Sequence, residues 1–222
     1  MKALVFNIGL NSLYSIRIPF TWQSALTYPV LPPSAVIGLV ANALQRYKND
    51  KHPCEYLEMV EREVVWAGSR LLAPCIIKSY TTSAITKWED ILGGKFTNAL
   101  GRQYAYSRKL QVAIIFKTSS LLNDITNALR TSPLTCGDSE SPVSLEEEVM
   151  ESDAIEEKAL SILTEYPVPF TSSTKVEDGN GHVYLMHERC KEYNNSLPLI
   201  SYIVPVREEQ RILKPSAIKI RI

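Results

Sequence analysis

Thr27-Tyr28-Pro29-Val30-Leu31-Pro32-Pro33-Ser34, running straight into Ala35-Val36-Ile37-Gly38-Leu39-Val40-Ala41-Asn42-Ala43-Leu44, is the stretch whose reading decides the fold. Three prolines in five positions hold the chain extended, because each ring fixes its own φ and restricts the residue before it. Proline is also tolerated in a first helical turn, where the N–H it lacks would go unpaired in any case. Ser34 adds a hydroxyl placed to cap. The run that follows has the helical period, with Val36, Leu39, Val40, Ala43, Leu44 and Tyr47 on one face. A stiff lead-in therefore delivers an amphipathic helix that ends near Lys48-Asn49-Asp50. Glycine inside a helix costs ~1 kcal/mol against alanine, so Gly38 predicts close packing of this helix on a sheet.

Working outward, Lys2–Ile8 reads as a strand that Ser12–Phe20 extends beyond a Gly9–Asn11 turn or bulge. Downstream, a short helix is expected around Glu55–Arg62, then a strand from Val64 to Trp66 broken by Ala67-Gly68, then an extended run from Leu71 to Tyr80. Residues 81–107 differ in kind. They are rich in Thr and Gly and carry the aromatics Trp88, Phe96, Tyr104 and Tyr106, which marks a long loop or a two-stranded finger. Leu110–Phe116 is the best central-strand candidate. Ser119-Ser120 can cap a helix over Leu121–Arg130, and Pro133 stops it. Val143–Met150 reads as a strand end or a short helix. In the last third, Glu156–Tyr166 has helical spacing, Asp178-Gly179-Asn180-Gly181 is a turn before a strand at His182–Met186, and Leu197–Val206 and Ala217–Ile222 are further strand candidates.

This order predicts an α+β fold. It is a ferredoxin-like (RRM-like) antiparallel sheet with two helices, a long β-hairpin thumb insertion and a β-rich C-terminal extension. The expected division is a first domain over residues 1–150, with the insertion at about 81–107, and an extension over 151–222 packed on it.

The 222 residues, 45% hydrophobic and 22% charged, fit a soluble globular protein of one elaborated domain. Cys54, Cys75, Cys136 and Cys190 form no C-x-x-C pair, as in a reduced intracellular protein. His187 and Cys190 stand three apart without a second ligand pair, so no metal and no cofactor is expected. No signal peptide is visible, and the apolar run Ala35–Leu44 falls short of the ~20 residues that cross a bilayer. A cytoplasmic protein with no membrane partner is expected. Phosphate loops, dinucleotide fingerprints and nucleophile elbows are absent from the sequence. His52 and His182 are the loop histidines, and nothing in the sequence sets either beside a second catalytic group.

The formal net charge of zero hides two opposed blocks. Ser69–Thr118 holds eight basic residues (Arg70, Lys78, Lys87, Lys95, Arg102, Arg108, Lys109, Lys117) against Glu89 and Asp90, a net +6. Asp138–Glu165 holds ten acids against Lys158, a net −9. The acidic block reads as a solvated face or a partner-docking edge. The basic block coincides with the aromatic excursion. Cations along an extended segment can track phosphates, and Trp88, Tyr104 and Tyr106 can stack on bases. In a strand, Arg102, Tyr104, Tyr106 and Arg108 would share a face. The same composition also suits a solvated hairpin whose aromatics pair across strands.

Three segments resemble one family. The opening strand, the Tyr28–Ser34 lead-in and the helix through Ile37-Gly38-Leu39-Val40-Ala41-Asn42-Ala43-Leu44 are similar to the amino-terminal signature of the CRISPR-associated (Cas) family five, a branch of the RAMP superfamily. Gly137-Asp138-Ser139-Glu140-Ser141-Pro142-Val143 resembles its second shared block, and Tyr166-Pro167-Val168-Pro169-Phe170 is a weaker third echo. Length and layout resemble the archaeal type I-A version most. A glycine-rich loop near the carboxyl terminus, usual in the superfamily, has no counterpart here, since Gly179 and Gly181 are the only glycines after Gly137. The resemblance implies a ferredoxin-like domain with a thumb at residues 81–107. It also implies a non-catalytic place in the type I Cascade surveillance complex, capping the backbone filament and holding the 5′ handle of the crRNA. The implied neighbours are the family-seven backbone subunit and the large subunit. The expected RNA contacts are Arg17, Lys78, Tyr80, Lys87, Trp88, Lys95, Arg102, Tyr104, Tyr106, Arg108 and Lys109. Two other readings stand beside this one: a metal-independent endoribonuclease that cuts repeat RNA, and a scaffold whose acidic block binds protein.

Overall fold

β1 (Lys2–Leu10) buries Leu4, Phe6 and Ile8 completely on one side, as strand alternation demands. The rest of the fold is laid around it. The computed structural model describes residues 1–21, 24–85, 97–137, 141–190 and 199–221. After β1 come a two-residue strand, β2 (Ser24–Ala25), then α1 (Pro33–Lys48), α2 (Pro53–Glu63) and β3 (Val64–Leu71). β4 (Cys75–Ile85) and β5 (Thr97–Ser107) precede β6 (Lys109–Phe116), α3 (Leu122–Thr131), β7 (Leu134–Thr135) and β8 (Pro142–Asp153). A five-stranded antiparallel sheet runs in the order β3-β6-β1-β8-β7. Leu110, Val112, Ile114 and Phe116 of β6 are fully buried beside β1, in one cluster with Val36, Val40 and Leu44 of α1 and Ile125 and Leu129 of α3.

The proline stretch does what its stiffness predicts. Pro32 is the extended N-cap of α1 and Pro33 its first residue. Val36, Leu39, Val40, Ala43 and Leu44 are buried, while Tyr47 at the end of the stripe is exposed. Ser34 is not the cap. It already lies inside the first turn, and its carbonyl accepts a hydrogen bond from the Cys190 thiol at 3.1 Å. The stretch is buried by being sewn to three neighbours. The Tyr14 hydroxyl donates to the Pro29 carbonyl at 2.6 Å. The Leu31 amide donates to Ser69 Oγ at 2.8 Å, and that hydroxyl donates back to the Leu31 carbonyl at 3.2 Å. The Tyr28 hydroxyl donates to the carbonyl of Leu185. Gly38 is no close-packing site, because no described atom outside its own stretch of helix lies within 4 Å of where its Cβ would stand.

Several other expectations are corrected. Ser12–Phe20 is not a strand extension. The segment meets two different partners through single bridges, Tyr14 with Ala105 and Arg17 with Thr27. β3 runs unbroken through Ala67-Gly68, and its irregularity falls earlier, between Val64 and Trp66. Gly68 is instead the place where the Trp66 ring lies across the strand, so a Cβ would collide with it. α3 starts after Leu121 with no side-chain cap, so Ser119 and Ser120 do not serve in that role. His52 is a structural residue: Nδ1 accepts from the Cys54 amide at 3.3 Å, while the Glu55 carboxylate accepts from the His52 amide at 3.3 Å, together capping α2. Val143–Met150 is wholly strand, within β8.

The regular elements of the last third are all strands among the described residues. It contains β9 (Ser161–Thr164), β10 (Val168–Pro169), β11 (Lys175–Gly179), β12 (His182–His187), β13 (Leu199–Val204), β14 (Val206–Glu209), β15 (Ile212–Pro215) and β16 (Ile218–Arg221). The helical spacing of Glu156–Tyr166 yields to long-range pairing: β9 pairs with β16, and Ile162 packs on Ile218 and Ile220. Two three-stranded sheets form, β10-β13-β12 and β11-β16-β9. β14 and β15 join β4, β5 and β2 in a second five-stranded sheet, so the end of the chain shares a sheet with the middle hairpin. Met186, Tyr202, Val204, Val206 and Leu213 lie in the same buried cluster as β1 and α1. The fold is a strand-rich α+β arrangement of curled antiparallel sheets.

Candidate nucleic-acid interface

β4 and β5 form one long antiparallel hairpin, paired from Cys75 with Ser107 to Ile85 with Thr97. The two-stranded reading of the excursion therefore holds, with a start at Cys75 and the Leu72-Ala73-Pro74 turn ahead of it. Alternation splits the base of the hairpin into two faces. On one, Cys75, Ala105 and Ser107 are buried, and the Tyr14 and Ala105 backbones exchange hydrogen bonds of 2.9 and 2.8 Å. Burial drives the Cys75 thiol up to about 11, leaving it protonated and unreactive at neutral pH. This face holds the hairpin on the core.

The other face carries Ile76, Lys78 and Tyr80 from β4 opposite Tyr106, Tyr104 and Arg102 from β5. A ring therefore faces a cation in two of the three cross-strand pairs. Tyr80 and Tyr104 meet edge to face with centroids 5.8 Å apart, and the Arg102 guanidinium lies over the Tyr104 ring at 5.0 Å. Arg102 Nε also donates to Ser15 Oγ at 3.3 Å. Ile76, Lys78, Tyr80 and Tyr106 are exposed, with Tyr80 and Tyr106 each about half open to solvent. Exposed tyrosines and cations held in register by a strand pair offer rings for stacking and charge for phosphate.

The other candidates are placed differently. Arg108 is exposed but lies past the end of β5, where the chain turns into β6, so it leaves the alternation that Arg102, Tyr104 and Tyr106 share. Lys109 is committed to the acidic strand, bound by Glu147 and by Glu146 at 3.3 Å. Those carboxylates raise the Lys109 ammonium above its ordinary value, and Lys109, with Asn7, lowers Glu147. Arg70, another member of the basic block, is paired with Glu165 and lies 5.4 Å over the Tyr166 ring. The acidic block is thus largely engaged within the chain, with Lys2 on Glu151 and Asp153 and Arg130 on Glu148. Arg17 lies on the wall of a groove it shares with His187 and Arg189. Arg189, just past the end of β12, carried no signal in the sequence, and His187 stood out there only for its spacing to Cys190. Lys87, Trp88 and Lys95 lie outside the described residues. No group of His, Cys, Asp or Glu among the described residues is arranged to hold a metal, and no helix among them is long and apolar enough to cross a membrane.

Fold and face together define a class: an α+β protein of curled sheets that presents a basic, tyrosine-bearing hairpin. The chain belongs to the Cas5 family of CRISPR-associated proteins, whose family model, described as CRISPR-associated protein (Cas_Cas5), matches residues 10–215. Three solved structures share its fold. A CRISPR protein from Archaeoglobus fulgidus superposes with a TM-score of 0.64 at 14% identity, covering 100% of this chain and 92% of that one. A chain of a type III-B Cmr-beta complex bound to cognate target RNA and AMPPnP gives 0.54 at 12%, covering 99% and 86%. A chain of a CRISPR RNA-guided surveillance complex gives 0.50 at 14%, covering 97% and 90%. A comparison with curated protein sequences found no match.

Proposed function

We propose that this chain is a non-catalytic crRNA-binding subunit of a type I Cascade surveillance complex, of the type I-A kind, acting in antiviral defence. It holds the 5′ repeat-derived handle, caps the backbone filament, and contacts the family-seven and large subunits. The observation that carries this reading is the hairpin face of Lys78, Tyr80, Arg102, Tyr104 and Tyr106, with Lys78, Tyr80 and Tyr106 exposed and a ring facing a cation in the Lys78–Tyr104 and Tyr80–Arg102 pairs. Phosphates meet the cations, and splayed bases stack on the tyrosines. The family match supports it, as does the fold shared with a chain of an RNA-guided surveillance complex. The order β8-β1-β6-β3, with α1 following β1 and α3 following β6, is what a ferredoxin-like reading of the first half requires.

Stacking on one base is worth ~1–3 kcal/mol by alanine substitution, so Tyr80→Ala and Tyr106→Ala should each weaken crRNA retention by about ten-fold. Lys78→Glu should do the same, with thermal stability unchanged. Copurification of RNA with each variant measures it. Wild-type retention by all three would sink the hairpin model. Incubation with labelled repeat RNA in EDTA tests the non-catalytic part, since one site-specific cut would overturn it.

A further inference from the structure

A groove of about 310 Å³ opens between the first turn of α1 and the end of β12, at the lower end of the ~300–1,000 Å³ typical of ligand sites. Arg17, Ser34, His187 and Arg189 stand on its walls, Tyr28 and Cys190 among its apolar lining, and no carboxylate is among the described residues that line it. Arg189 is held from behind: Nη1 donates to the backbone carbonyls of Val64 at 3.2 Å and Glu61 at 3.4 Å, while the Glu61 carboxylate accepts from the neighbouring Cys190 amide at 2.8 Å. Arg17 Nη2 is likewise fastened to a backbone oxygen, that of Thr21, at 3.1 Å. Two guanidinium groups oriented by neutral carbonyls in a concave pocket are suited to an anion. The groove also adjoins the hairpin face. Ser15, which accepts from Arg102, lies two residues before Arg17 in chain held by the Tyr14 and Arg17 bridges, a span of about 7 Å at strand rise.

We propose that this groove is a second anchoring point for the same RNA strand and takes one backbone phosphate between Arg17 and Arg189. The inference rests on the hairpin-face reading and extends it to residues from opposite ends of the chain.

Ser34→Asp is the most direct test. It places a carboxylate in the groove without touching the carbonyls that hold Arg189, and an acid in a first helical turn favours the helix, so the fold should survive. Binding of a fluorescein-labelled oligouridylate is followed by anisotropy across a salt series. Loss of one phosphate contact on a single strand lowers the slope of log K against log salt by about 0.7. Ser34→Asp and Arg17→Gln should each show that drop together with about ten-fold weaker binding, and Arg189→Lys should retain most of the slope. Inorganic phosphate should compete more weakly against Ser34→Asp than against wild type. Unchanged affinity and slope in Ser34→Asp and Arg17→Gln, with Tyr80→Ala still weakened, would overturn the groove alone. No binding by the wild-type chain would overturn the hairpin reading and the groove with it.

Discussion

Gly38 sits in the interior of α1 with room around it, and this makes it a liability rather than a requirement. A helical glycine gives up more backbone freedom on folding than alanine does, and a methyl group here meets no described neighbour. Gly38→Ala should therefore raise stability by about 1 kcal/mol, read as a higher urea midpoint with an unchanged slope. A lower midpoint would mean that the position is packed after all. The sequence rule that reads a mid-helix glycine as a contact fails because it weighs propensity without knowing which side of the helix the residue faces. Gly68 is the converse. Its environment does demand a missing Cβ, and the cause is the Trp66 ring two residues away on the same strand face. His52 and Lys109 follow the same pattern, since their chemistry is set by the neighbours that fold onto them, a helix start in one case and two carboxylates in the other.

At the scale of elements, periodic segments were legible and isolated short strands were not. α1, α2, α3, β6 and the hairpin follow from spacing and composition. β9 was hidden under a helical pattern because four residues pairing with a strand 54 to 60 positions later leave no local trace. β8 shows what such pairing accomplishes. It is strongly acidic, yet it runs beside β1 because Lys2, Lys109 and Arg130 each supply a counter-charge. At its irregularity, Glu147 has φ 67° and binds both Lys109 and Asn7, the amide of Asn7 at 2.9 Å. The Lys109 hydrogen bond is the main reason that the Glu147 carboxyl falls below its ordinary 4.5. A lowered folded-state value means that the stabilisation is complete above that ordinary value and is lost as pH falls through the lower one. Lys109 is raised above 10.5, so its share is complete below that value and is lost as pH rises through the higher one. Lys109→Met should lower the melting temperature at neutral pH and flatten its fall below about pH 4. A deficit that is equally large at acid pH would show that packing rather than charge explains it.

Across the whole molecule, the two charge blocks that cancel in the total are partly brought together by folding. Lys109 and Arg70, both on the β3-β6-β1-β8-β7 sheet, are drawn to Glu147 and Glu165, while Lys78 and Arg108 stay exposed on or near the hairpin. Net charge along a block cannot separate cations that staple the sheet from those that face outward, since that depends on register. Arg189 escaped altogether, as a groove assembled from positions 17, 34 and 189 has no signature along the chain.

The proline stretch has a further, kinetic consequence. Residues 28–33 are buried without belonging to any sheet, which is feasible because three of the six carry no N–H to satisfy. The Leu31 amide is satisfied by a single hydroxyl, that of Ser69 on β3. It should therefore exchange with deuterium only when the lead-in to α1 parts from β3, so that one slow proton times the opening of the core. Ser69→Ala should speed that exchange well beyond any change in the β6 amides. Equal acceleration at both places would mean that the strand and the proline corner come apart together.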